Sequence, residues 1–131
     1  MGKVDDSVPG VGLSTFAACG MDGSTALTNS AQAVCNTACR VYGYWLTNSD
    51  ATAANFVSFY GIPAAGVTVG TTPPKFQLSP ALSVSANLSL PYGIDFPNGC
   101  SVAATTTAGG NSAPATALDL IVWYAPINIA S

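Results

Sequence analysis

The chain has 131 residues, 49% of them hydrophobic, and only 7% are charged: Lys3, Arg40 and Lys75 against six Asp, with no Glu and no His. An ordinary soluble domain carries roughly 25% charged residues. The shortage excludes histidine catalysis and histidine metal sites, leaves nucleic acid no positive footprint, and denies surface helices their usual ion pairs. The net charge of −3 is too small, and the apolar content too high, for a disordered chain.

Residues 1–23 are expected to form an extended N-terminal arm, because Gly2, Pro9, Gly10, Gly12, Gly20 and Gly23 interrupt every periodic run. The arm nonetheless holds Val4, Val8, Val11, Leu13 and Phe16, side chains suited to grooves on a partner. It has no unbroken apolar core of the secretion-signal kind, and Asp6 stands where a myristoylation pattern wants Ser or Thr. No apolar run of about 18 residues suggests a membrane span.

Residues 24–131 read as a β domain. Thr25–Val34 is a weak strand. Arg40–Leu46 is a strong one, closed by the turn cluster Thr47–Asp50. Strict alternation would put Val41, Gly43 and Trp45 on one face and Tyr42, Tyr44 and Leu46 on the other. Asn55–Tyr60 and Lys75–Leu78 follow as strands, and between them Val67–Val69 precedes a definite break at Gly70–Pro74. Leu82–Leu90 alternates without fault, with Leu82, Val84, Ala86, Leu88 and Leu90 on one side and Ser83, Ser85, Asn87 and Ser89 on the other. That is the pattern of a half-buried strand. Pro91–Tyr92–Gly93 ends it. Ile94–Phe96 and Cys100–Thr107 are further strands, and Leu118–Tyr124 is apolar on both faces apart from Asp119. Short strands punctuated by Gly and Pro, with no helical period, predict an antiparallel β-sandwich of jelly-roll or Greek-key type with about seven or eight strands.

The cysteines Cys19, Cys35, Cys39 and Cys100 lack the spacing of redox and zinc motifs. Free thiols are the expectation favoured for them, with a disulfide as the next reading. Cys35 and Cys39 would pair only if the chain turned between them, since an extended segment holds them about 13 Å apart.

No catalytic, cofactor or metal constellation emerges. Ser and Thr are plentiful, but none sits in Gly-x-Ser-x-Gly, and neither a hydroxyl nor a thiol has a His to activate it. Asp119 could be a buried acid or a polar contact, but on its strand it reads better as a solvent- or interface-facing position; a hydrolase using Asp95 or Asp119 is the remote option. Asn87–Leu88–Ser89 matches a glycosylation sequon, a tripeptide that arises readily by chance. Tyr42, Tyr44, Trp45, Phe56, Phe59, Tyr60, Trp123 and Tyr124 could form a sugar platform, although aromatics inside strong strands more often pack in a core or interface.

Val41–Asn48 running on through Ala51–Tyr60, then Val69–Pro74, Leu90–Ile94 and Ser101–Thr107, together resemble small β-sandwich virion proteins of tailed bacteriophages. The likeness spans about residues 40–124 and excludes the arm. It implies a non-enzymatic structural protein on the capsid surface of a virion, made in the host cytoplasm. The implied role is a decoration or cement protein that bridges major capsid subunits, often as a homotrimer. A tail-fibre or spike module binding host glycan is the alternative. On that reading, Tyr42, Tyr44, Ile121 and Trp123 are the expected interface, and Val4, Val8, Val11, Leu13 and Phe16 the tether.

Overall fold

The structure is a computed structural model and describes residues 20–50, 54–79 and 84–127. Eight strands occur there: β1 Gly20–Leu27, β2 Gln32–Cys35, β3 Cys39–Asn48, β4 Phe56–Tyr60, β5 Phe76–Leu78, β6 Val84–Phe96, β7 Cys100–Thr105 and β8 Leu118–Pro126. The only helical element among the described residues is one 3-10 turn, Ala64–Gly66.

The strands form two antiparallel sheets, here called A and B. Sheet A has the order β1-β8-β3-β6, and sheet B has β2-β7-β4-β5. The pairings nest: β1 with β8, β2 with β7, β3 with β6, β4 with β5. Every connection except β4–β5 crosses from one sheet to the other. This is a jelly roll, so the all-β sandwich expected from the sequence is present with its winding now defined.

The core fills the space between the sheets. Val41, Leu46, Phe96, Leu118, Leu120 and Val122 of sheet A meet Val34, Val57, Phe59, Cys100, Val102 and Ala104 of sheet B. An aromatic chain crosses it: Tyr44 lies 6.2 Å from Phe59, Phe59 stacks on Phe76 at 4.6 Å, and Phe76 meets Phe96 edge-on at 6.3 Å.

Four local features differ from the sequence expectation. First, β1 starts at Gly20, inside the stretch expected as arm. Its Gly20–Ser24 segment pairs with Tyr124–Leu120, and Leu27 is fully buried. Second, the expected stop at Pro91–Gly93 lies inside one continuous strand, β6 from Val84 to Phe96. The expected break after Val69 is a turn, with the amides of Thr71 and Thr72 both donating to Thr68 O, at 2.9 and 2.8 Å.

Third, β3 carries a β-bulge. Against β8, Val41 faces Tyr124 and Gly43 faces Trp123, so Tyr42 is an extra residue. Against β6, Gly43 faces Ser89 while Val41 faces Ile94, and the segment 90–93 loops out. The bulge changes the parity of the strand. Cys39 and Val41 point inward before it, Tyr44 and Leu46 after it. Fourth, Cys35 and Cys39 form a disulfide, with Cα atoms 6.8 Å apart across the bend Asn36–Thr37–Ala38. The favoured thiol reading is therefore corrected for this pair, because the chain does turn there. Cys100 is buried in the core, and Cys19 lies outside the described residues.

Candidate interaction face

The two sheets treat their outer faces differently. On sheet B, the outward positions Ser58 and Tyr60 of β4 and Ser101, Ala103 and Thr105 of β7 are all buried. Two loops, 61–75 and 106–114, lie over them. Ser101 Oγ donates to Ile62 O at 2.9 Å, and Thr106 N donates to Ser112 O at 3.0 Å. A shallow groove of about 130 Å³ remains, lined by Ser58, Tyr60, Gln77, the 70–74 turn and Gly109–Gly110. Gln77 Nε2 already donates to Ser58 Oγ at 2.7 Å within it.

Sheet A has no such cover among the described residues. Trp45 of β3 and Ile121 of β8 stand directly opposite each other and are 45% and 36% exposed. Trp123 is one pair further along, opposite Gly43, and is half-buried. Thr47 and the exposed Asp119 form the next pair beyond Trp45 and Ile121. These side chains share one face because residues two apart on a strand do. The patch is therefore an uncharged aromatic and aliphatic row with a single carboxylate at one end.

At its other end the face carries a small charged corner. The Arg40 guanidinium grips the Asp95 carboxylate through two hydrogen bonds: Nε to Oδ1, and Nη2 to Oδ2 at 3.3 Å. The hydrogen bond from Arg40 holds the Asp95 carboxyl below the usual carboxylate range, with the Arg40 and Lys75 charges adding to it. In turn, Asp95 and then Tyr42 raise the guanidinium above its ordinary value. Gly93 lies under this pair with φ +74°, and Tyr42 lies beside it. Tyr92, at the tip of the looped-out segment, is 88% exposed.

Of the residues expected at an interface, Tyr42, Ile121 and Trp123 are on this outer face. Tyr44 is not: it turns inward against Phe59. Its place is taken by Trp45, which strict alternation had grouped with Val41. The reason is the extra residue at Tyr42. An isolated Gly inside an aromatic strand is a bulge signal, and Gly43 carried it. Val4, Val8, Val11, Leu13 and Phe16 lie outside the described residues.

No group of three or more Cys, Asp, Glu or His side chains could hold a metal among the described residues. Asp119 is exposed on a strand, and Asp95 is committed to Arg40. Asn48, Asp50 and Asn55 form a buried polar knot where β3 leaves sheet A. Asp50 N donates to Asn48 Oδ1 at 3.1 Å, and Asn55 Nδ2 reaches both Asn48 Oδ1 and Asp50 Oδ2, at 3.3 and 3.4 Å. This knot ties the end of β3 to the residue just before β4.

No protein-family model matches the chain. No curated protein and no solved structure matches it either.

Proposed function

We propose that this chain is a non-enzymatic structural subunit of a tailed-phage virion, a capsid decoration protein that seats on major capsid subunits and bridges them. The observation that carries the reading is the open face of sheet A. Trp45, Ile121 and Trp123 form an uncharged apolar row on a sandwich whose opposite face is sealed by loops. Apolar, charge-depleted patches are the mark of lasting interfaces. Jelly rolls occur in viral capsids and also in lectins and cupins. The cupin reading, which rests on histidine metal ligands, lacks its residues here. The resemblance of residues 40–124 to small virion proteins of tailed phages supports a place on a phage particle, and the open face favours the head shell over the tail. In this reading Val4, Val8, Val11, Leu13 and Phe16 tether the chain to a neighbouring subunit, and repeated weak contacts over the lattice combine into firm attachment.

Cryo-electron microscopy of intact particles, against particles made without the chain, tests this. Extra density over capsid subunits, with sheet A turned to the shell, is expected. Adding back the Trp45→Asp variant should leave the shell bare, while the wild-type chain restores the density. The exposed aromatics also favour a second reading, a glycan-binding tail module. Density on the tail, or saturable binding of the isolated chain to host polysaccharide, would move the assignment there.

A further inference from the structure

The two sheets present four edge strands, β1 and β6 in sheet A and β2 and β5 in sheet B. Unpaired edges invite pairing with other chains, and natural proteins blunt them by shortness, charge, proline or bulges. Three of the four are blunted. β2 has four residues and a register shift. β5 has three residues, preceded by Pro73, Pro74 and Lys75. β1 carries Asp22, two glycines and a register shift between Ser24 and Leu27.

β6 is different. It is the longest strand, with 13 residues, and no strand pairs on its far side among the described residues. Its first seven residues, Val-Ser-Ala-Asn-Leu-Ser-Leu at 84–90, contain no charge, proline or glycine. The devices appear only from the end of that run, as the 90–93 segment that leaves the β3 register, Pro91 within it, and Asp95 beyond. The open edge therefore has a sharp limit.

We infer that β6 is a self-pairing edge, where residues 84–90 of two copies of this chain pair antiparallel about a two-fold axis at Asn87 and join the two A sheets edge to edge. The sequence is self-complementary in that register. Val84 meets the partner's Leu90, Ala86 the partner's Leu88, Ser85 the partner's Ser89, and Asn87 the partner's Asn87, so apolar meets apolar and polar meets polar. Residues paired this way differ by an even number, so the backbone groups that face outward on one copy meet those that face outward on the other. The exposed Tyr92 follows the paired segment by two residues, so one lies near each end of the joint. Tyrosine is a favoured anchor at such positions. The pairing gives a two-fold dimer, unlike the three-fold ring that the phage resemblance implies, and it does not depend on that resemblance.

Sedimentation of the full chain at tens of micromolar is the test. The wild-type chain should run as a dimer. Asn87→Lys sets two like charges against each other on the axis and should weaken dimerisation at least tenfold, with the circular-dichroism spectrum unchanged. Should that variant misfold, Asn87→Cys decides the matter. A short thiol cross-linker should yield a covalent dimer from it, and not from the wild-type chain or from a Ser49→Cys variant. A wild-type monomer or trimer, a dimer that tolerates Asn87→Lys, or an Asn87→Cys chain that does not cross-link would each overturn the inference.

Discussion

The stem of Arg40 lies directly over the α-carbon of Gly93. A Cβ added there would stand 2.5 Å from Arg40 Cγ and 2.7 Å from Cδ. Gly93 also has φ +74°. The bulge on β3 and the looped-out turn of β6 meet at this contact, so one residue without a side chain allows two strand irregularities to fit together.

Gly93→Ala is accordingly expected to destabilise the fold. The left-handed conformation costs an L-residue about 1–2 kcal/mol, and the Arg40 stem must also move. Urea unfolding should show a loss of about 2 kcal/mol or more. Combined with Asp95→Asn the loss should be less than additive, since both changes disturb the same ion pair.

Acid should weaken the Arg40–Asp95 corner in a defined window. The Asp95 carboxyl titrates below its ordinary value of 3.8 in the folded chain. A depressed folded pKa means the contribution is fully present above that ordinary value and disappears as the pH falls through the folded one. The stability gap between wild type and Asp95→Asn should thus be constant from pH 5 to 7 and close below about pH 4. Both side chains are partly exposed, so added salt should narrow the same gap.

Phe59 sits at the centre of the aromatic chain, buried and touching both Tyr44 and Phe76. Phe59→Ala should cost about 3–5 kcal/mol. A single domain has only about 5–15 kcal/mol in total. Thermal denaturation should find the variant barely folded, whereas Ile121→Ser, on the outer face, should stay within about 0.5 kcal/mol of wild type.

The Cys35–Cys39 disulfide closes a very short loop, and loop-closure entropy assigns such a bridge about 2 kcal/mol. Phosphine reduction should lower the melting temperature by several degrees without unfolding the chain at 25 °C. Mass spectrometry before and after alkylation would follow the bridge itself.

The strands whose signal is local were legible in the sequence. Leu118–Tyr124 announced itself by continuous apolar residues and became the central strand β8. Arg40–Leu46 was equally plain as a strand, but its faces were not. A period-two pattern assumes no extra residue, and Tyr42 is one. The first four residues of β1 read as arm because Gly20 and Gly23 hide them and their partner is distant: Gly20 pairs with Tyr124. Only tertiary pairing reveals such an edge. The alternation over Leu82–Leu90 falls on a real strand, β6 from Val84. Residues 82 and 83, and the side chains at 84–88 and 90, lie outside the described residues. Of the four residues expected at an interface, Tyr42, Ile121 and Trp123 fall on the outer face of sheet A, while Tyr44 turns inward and Trp45 stands outside in its place.

The loops that seal sheet B give the molecule an orientation. On the proposed attachment through sheet A, the 61–75 and 106–114 loops face outward. In the second of them the turn from Thr107 to Gly110 is closed by a 3.0 Å backbone hydrogen bond, and a Cβ on Gly109 would meet nothing within 4 Å. A peptide spliced in there would be carried at the top of every copy, which makes this turn a natural mast for display.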